Sequence, residues 1–447
     1  MNGEPAGESG RVAQRLLGRL IDVRPAELRA LGWAWLYIFS VLFSYYILRP
    51  IRDEMGVAGG IENLQWLFTG TLLCMVAVNP PFAALVARMP RVRFIALTYR
   101  FFLANLLLFT LLLPLATADQ QIWIGRIFFI WASVFNLFVV SVFWALMVDV
   151  FDAEQGKRLF GFIAAGATLG AIVGSAVTAA LAKQVPLTYL LFGSALLLEA
   201  AVFFVRRLSH MSDALHSRPA TRGQESPIGG SMFAGFKHAL ASPYLVNICF
   251  YILLFTITST FLYFQQAEIV RQSFTDRGAR TAFFARVDLW VNILTLGAQL
   301  FLTSRVLRWF GVAATLAALP LMSMIGFGTL ALAPTIAVLV VYQVIRRAGN
   351  FAFARPSREL LYTVVPREDK YKAKSFIDTA VYRLGDQVGA WAYTGLGLLG
   401  LAVSGVAVVA VPISLAWLIN ALWLGRKQNV LEMKQSESAA TATATQT

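Results

Sequence analysis

Charged side chains set inside long apolar runs are the residues of this chain whose types and spacing could do chemistry. Arg346 and Arg347 fall about 18 Å of helical rise from the outer end of one such run, near its middle. Arg383 falls near the middle of the next run. A guanidinium at that depth presents a rigid fork of donors that suits a phosphate or a carboxylate. Adjacent arginines point in different directions on a helix, so at most one of Arg346 and Arg347 faces a central cavity. The competing reading is structural, an ion pair with Asp288, Asp378 or Asp386. Asp378, Tyr382 and Asp386 recur at i, i+4 and i+8 and share one helix face, with Arg383 and Asp386 in pairing range at i, i+3. An embedded carboxylate there either closes a structural pair, which is our first reading, or carries a coupling proton.

Other polar residues lie at comparable depth. Asp288, Asn292, Thr295 and Gln299 are spaced 4, 3 and 4 apart and fall on one face. Thr256, Ser259, Thr260, Tyr263 and Gln266 form a second stripe. Such faces suit the wall of a water-filled cavity, or else hydrogen bonding between helices. The first apolar run ends Arg49-Pro50-Ile51-Arg52-Asp53-Glu54, where both arginines share a face or simply snorkel to the interface. The candidate substrate contacts are therefore Arg49, Arg52, Asn136, Tyr263, Asp288, Asn292, Arg346, Arg347, Asn350 and Arg383. The candidate coupling or gating groups are Asp378, Asp386, Arg358 and Glu359. Glu199 sits in the sixth run with no role that its neighbours suggest.

These residues need elements to hold them, and composition says where those elements lie. Hydrophobic residues make up 58% of the chain and charged residues 14%, against about 25% charged in a soluble domain. A bilayer must be the solvent for much of this surface. Apolar segments fall at roughly 30–52, 63–87, 93–116, 121–151, 158–182, 186–205, 243–267, 282–308, 311–333, 335–362, 371–398 and 401–424. Basic residues collect in the alternate connections, which places both termini in the cytoplasm. The seventh connection, with Arg271, Arg277 and Arg280, breaks that pattern. The net charge of +14 belongs to these flanks, so no nucleic acid is called for. The two cysteines and three histidines show no disulfide or metal-ligand spacing. No cofactor is implied, and no G-x-x-x-x-G-K-[ST] loop of an ATP-driven pump occurs. Nothing suggests an enzyme.

The expected organisation is an all-α membrane protein of about twelve spans. Residues 1–28 form a cytoplasmic amphipathic segment built on Arg11, Arg15 and Arg19, with no cleavable signal peptide. Residues 29–205 form one six-helix half. A flexible cytoplasmic linker covers 206–242 and ends in a short surface helix at Phe233, Phe236 and Leu240. Residues 243–425 form the second half, and 426–447 a disordered tail. Lys157, Gly170 and Gly174 match Lys372, Gly385 and Gly389 at one fixed offset. Parallel six-helix repeats of this kind mark the major facilitator fold. Gly166, Gly170 and Gly174 also read as a close-packing face.

Three stretches carry a family resemblance. They are Leu48-Arg49-Pro50-Ile51-Arg52-Asp53; Phe143-Trp144 with Gly156-Lys157-Arg158-Leu159-Phe160-Gly161-Phe162 and Gly166; and Arg355-Pro356-Ser357-Arg358-Glu359-Leu360-Leu361-Tyr362 through Lys372-Ala373-Lys374-Ser375-Phe376-Ile377-Asp378 to Arg383-Leu384-Gly385. In order and position these resemble motifs of the nucleotide transporters (ATP/ADP translocases) of plastids and intracellular bacteria. The resemblance implies a major facilitator fold and ATP:ADP-type exchange, with basic side chains meeting phosphates and Arg52 in the place of the family's helix-one basic residue. The chain departs from the family at three points. The family's acidic residue of helix four falls at Ala132 or Ser133, that of helix seven near Tyr263, and the lysine after Leu-Gly in helix eleven is Asp386.

The expectation is a secondary transporter of an anionic solute, such as a nucleotide, working as a monomer in a bacterial inner membrane by alternating access. The alternatives are a proton-coupled transporter of another organic solute or drug, and a non-transporting sensor or scaffold on the same fold.

Overall fold

The computed structural model describes residues 23–24, 27–215, 242–365, 373–374 and 376–444. The amphipathic reading of Arg11, Arg15 and Arg19, the linker helix at Phe233, Phe236 and Leu240, and Lys372 of the repeat lie outside the described residues.

Helices make up the fold, and no strand occurs among the described residues. They are α1 (Leu28–Ala58), α2 (Leu64–Arg88), α3 (Arg91–Leu115), α4 (Ala118–Val150), α5 (Ala153–Leu181), α6 (Leu187–Leu215), α7 (Pro243–Ser273), α8 (Arg277–Phe301) and α9 (Thr303–Leu332). Then come α10 (Ile336–Gly349), α11 (Arg355–Leu361), α12 (Tyr382–Leu398) and α13 (Val403–Ala444). A π-helical turn, Asn350–Ala354, joins α10 to α11, and a second, Ile377–Val381, leads into α12. The first has a local cause. Pro356 has no amide to return to Ala352, so the ladder there is rebuilt with wider bonds.

Among the described residues, ten helical segments are long and apolar enough to cross a membrane, by length and composition alone. The eighth and eleventh expected segments fall short of that test. Arg277, Arg280, Arg286 and Asp288 crowd α8, and α12, with Arg383 and Asp386, has only 17 residues. The polarity that makes both segments candidates for a site also weakens their membrane signal.

Packing divides the chain into two compact units. One is drawn from Met1–Met55, Leu73–Gly223 and Asp276–Leu289, the other from Gly56–Leu72, Gln224–Thr275 and Trp290–Thr447. The boundaries differ from the expected halves, because the start of α8 packs with the first unit and the segment around Ile61 with the second. In the first core, the Tyr37 hydroxyl donates to Tyr99 at 2.7 Å and Tyr99 donates to the Val139 carbonyl at 3.0 Å. In the second, Trp417 is fully buried against the rings of Tyr251 and Phe255.

The same lock recurs in both units. A Cβ built at Gly174 would stand 2.6 Å from the Phe43 carbonyl oxygen, and one at Gly170 would meet the Phe39 carbonyl oxygen. In the second unit, a Cβ at Gly385 would first meet the Thr256 side chain and one at Gly389 the Thr260 side chain, with the carbonyl oxygens of Leu253 and Ile257 next at 3.3 Å. The glycine pair of α5 thus lies on the backbone of α1, as that of α12 lies on α7. The contacted carbonyls are offset in the chain by almost the same interval as the glycines. The internal repeat is therefore a repeat of close helix packing at glycine.

At the start of α1, buried Glu27 accepts from Arg158 at 2.9 Å, from Gln155 at 3.1 Å and from the Arg24 amide at 3.0 Å. Burial pushes this carboxyl up, but the Arg24 amide and the two α5 side chains outweigh it and hold it below its ordinary 4.5. The tie is therefore fully present at neutral pH and is lost as pH falls below 4.5 and through the lowered value.

Two expected boundaries are corrected. The sixth helix continues to Leu215, past the expected linker start at 206. Residues 426–444 are helical where a disordered tail was expected. Lys427, Leu431, Glu432, Met433 and Lys434 are strong helix formers, and Gln435 anchors the extension by donating to the Val364 carbonyl at 3.2 Å.

Gly174→Leu will overpack the α1–α5 contact at a cost of about 1–3 kcal/mol, seen as a lower melting temperature in detergent. Gly193→Ala, where nothing lies within 4 Å of the added carbon, will leave it unchanged.

Candidate functional site

The charged end of α1 belongs to the first unit. Arg49 stands 3.5 Å from Asp288 of α8, a carboxylate almost wholly buried, and its guanidinium lies 5.7 Å from the Tyr46 ring centre. Arg52 donates to Asp53 at 2.6 Å and reaches the Ser133 hydroxyl at 3.5 Å, with the Phe129 ring beneath it at 5.2 Å. The resemblance calls for an acid at Ala132 or Ser133, and here Arg52 takes a carboxylate from Asp53, the next residue. Asn136 is half-buried one turn further along α4.

Glu54, near the end of α1, is joined to the start of α8 through charge. It accepts from Arg277 at 3.2 Å and from Arg280 at 2.9 Å, while Arg277 also donates to Gln121 at 3.1 Å. Arg277 and Arg280 are two of the basic residues that broke the alternating charge pattern. Their charge is spent on Glu54. A cavity of about 550 Å³ opens beside Glu54, Gln121, Lys183, Arg277 and Thr281.

In the second unit, α10 places Arg346 inward at 3% exposure while Arg347 stays half-buried on another face, as adjacent helical positions must. Arg346 donates to Ser323 at 2.9 Å, Ser259 at 3.0 Å, Thr258 at 3.1 Å and the Phe255 carbonyl at 3.4 Å. The Phe255 ring centre lies 5.5 Å from its guanidinium carbon. Among the described residues, each of its partners is neutral. One turn earlier, Gln343 donates to Gln266 at 2.6 Å. Asn292 and Thr295 of α8 are buried, and Gln299 donates to the Phe351 carbonyl at 3.3 Å. Tyr263 packs its ring on Phe68 and Phe264.

Further charged groups of this unit pair beside the two π-turns. Arg358 reaches Asp378 at 3.5 Å, and Lys374 bonds Glu359. Arg383 meets Asp386 at 3.3 Å, the i, i+3 pair expected from spacing. Asn350 opens the first π-turn and Asp378 lies in the second. Such turns often mark functional positions, because they re-aim side chains by a fraction of a turn.

Three carboxylates were open as structural partners for Arg346 or Arg347. Asp288 stands beside Arg49, Asp378 beside Arg358 and Asp386 beside Arg383. None is an ion-pair partner of Arg346. Sequence reasoning missed Ser323, Thr258 and the Glu54 cluster. Ser and Thr in apolar runs are common, and nothing local links Glu54 to residues more than 200 positions away; only the misplaced basic residues of the seventh connection hinted at it.

Two repeated helical units with ionised groups closed inside membrane-crossing helices define a multi-pass membrane transporter. The chain belongs to the Major Facilitator Superfamily, whose family model matches residues 34–385. It is 19% identical over 92% of its length to "ADP,ATP carrier protein 1" of Chlamydia trachomatis, covering 91% of that protein. It is 20% identical over 96% of its length to the protein of the same name from Chlamydia muridarum, covering 94%. The similarity to nucleotide carriers thus extends far beyond the three motifs. Among solved structures, a bacterial homologue of the human lysosomal transporter Spinster shares the fold with a TM-score of 0.59, at 14% identity over 91% of this chain and 99% of that one.

The hydroxyls around Arg346 do not depend on it. Ser323, Ser259 and Thr258 each also donate to a carbonyl one turn back, at 2.9, 2.7 and 2.8 Å. Arg346→Met will therefore leave the ligand-free melting temperature unchanged or raise it, since an apolar side chain of similar length removes a desolvation cost. A fall of many degrees would make Arg346 a structural anchor.

Proposed function

We propose that the protein exchanges anionic solutes of the nucleotide class, ATP against ADP, across a bacterial inner membrane with both termini cytoplasmic. It works by alternating access, with Arg346 as the principal anchor for the substrate's negative charge. The observation that carries this reading is a buried guanidinium served, among the described residues, by hydroxyls, a carbonyl and an aromatic face but no acid. A cation held in low dielectric without an anion is costly, and a phosphate that arrives at such a group recovers most of that cost through charge-assisted hydrogen bonds. The names of the chlamydial relatives support a nucleotide as the arriving anion.

The remaining candidates take roles that follow from their partners. Arg49 and Arg52 hold Asp288 and Asp53, and serve substrate by exchanging those carboxylates for phosphate oxygens. Asn136, Tyr263, Asn292, Arg347 and Asn350 supply polar contacts. Asp378 with Arg358, Glu359 with Lys374, and Asp386 with Arg383 are pairs that break and re-form as the helices beside the π-turns move.

Proteoliposomes preloaded with ADP will take up labelled ATP, empty liposomes will not, and Arg346→Met will lower the initial rate at least tenfold. Folded wild-type protein that moves no nucleotide under these conditions would overturn the nucleotide reading. An unchanged rate in Arg346→Met would overturn the role of the arginine.

A further inference from the structure

In the first unit α3 and α6 pack on each other, and each turns one stripe outward. Leu97, Phe101 and Leu108 of α3 and Phe192, Leu196 and Phe203 of α6 are all more than two-fifths exposed and recur at helical spacing. A stripe of large apolar side chains suits acyl chains or another apolar helix, and is a poor lining for a water-filled path. Arg100 and Glu199 interrupt it. They bond to each other, Nη2 to Oε1 at 2.7 Å and Nε to Oε2 at 3.4 Å, yet each side chain remains 47% exposed.

Depth makes this pair unusual. Glu199 stands about 18 Å of rise from Leu187, and Arg100 about 12 Å from Val92, which puts both well inside a hydrocarbon layer about 30 Å thick. One bidentate contact satisfies only part of a guanidinium's five donors and a carboxylate's lone pairs. Acyl chains offer nothing to the rest. Ionised groups in spans ordinarily face a bundle interior or a watery cavity; this pair faces outward among leucines and phenylalanines.

We propose that the α3–α6 face is the interface of a symmetric dimer of this chain within the bilayer, in which Arg100 of each copy also meets Glu199 of the second copy. The charge pattern selects this occupant. The face carries one cation and one anion at matching depth, so it is complementary to itself. A twofold axis along the membrane normal keeps both copies in the same orientation and at the same depth. It brings each free edge of the pair to the opposite charge, turning two exposed pairs into one four-membered cluster, while the apolar stripes pack around it. Lipid alone covers the leucines but leaves the charges unserved. The expectation of a monomer rested on nothing that bears on this face.

Photobleaching of singly labelled protein in proteoliposomes tests it. At a dilution where the wild type bleaches mainly in two steps, Glu199→Arg or Arg100→Glu alone will bleach in one, with at least tenfold weaker association. A mixture of the two variants will regain two-step spots. The double reversal R100E/E199R restores both the internal and the exchanged pairs and will dimerise like the wild type, which separates charge pairing from misfolding of a single variant. One-step bleaching of the wild type at every dilution would overturn the dimer. Wild-type association by Glu199→Arg would place the interface elsewhere.

Discussion

Hydrocarbon cannot hydrogen-bond a charge, so every ionised side chain within a span has to find its partner in the protein, in a cavity or in a bound solute. That constraint arranges this molecule. Asp288 draws Arg49, Asp378 draws Arg358, Asp386 draws Arg383, and Glu54 draws both Arg277 and Arg280. Each of these contacts is a way of hiding charge, and those of Asp288 and Glu54 tie helices that are distant in sequence. Arg346 stands apart. It is almost wholly buried, and among the described residues it has hydroxyls, a carbonyl and an aromatic face as partners, but no acid. Hydroxyls that are already bonded to their own helices orient the guanidinium without neutralising it. This is the arrangement expected of a group whose counter-ion comes and goes.

The scaffold that holds these charges is simpler than the charges themselves. In each unit a pair of glycines lets one helix rest on the backbone of the first helix of that unit, Gly170 and Gly174 on α1, Gly385 and Gly389 on α7. The helices so fixed carry Arg49 and Arg52 in one unit and Thr258 and Ser259 in the other. The π-turns at Asn350 and Ile377 then adjust the aim of α11 and α12. Rigid backbone contact sets coarse position, and a local widening of the helix sets fine direction.

The class of protein was legible in the sequence because it rests on composition, on segment length and on charge asymmetry, all of which sum over many residues. The glycine repeat was legible because backbone contact demands glycine at fixed spacing. The i, i+3 pair of Arg383 and Asp386 was legible because helical geometry brings it together without help from the rest of the fold. Pairing between distant helices was not. Nothing near Glu54 points to Arg277, and nothing near Glu199 points to Arg100; those partners are chosen by helix packing. The tail at 426–444 was misjudged because its Ala-Thr end masked a run of good helix formers that docks through Gln435. The two segments that fell short of a membrane-crossing composition, α8 and the region of α12, did so because site residues dilute their apolar content.

Whether Arg346 takes its counter-ion from a bound anion can be tested by equilibrium binding, without requiring the transport cycle. Calorimetric titration of ATP into purified protein in detergent, with Arg346→Met and Arg346→Lys beside the wild type, separates charge from geometry. The wild type will bind saturably, Arg346→Lys, where the charge remains but the bidentate fork is lost, at least tenfold more weakly, and folded Arg346→Met not detectably. Equal affinity in all three would contradict that role of Arg346.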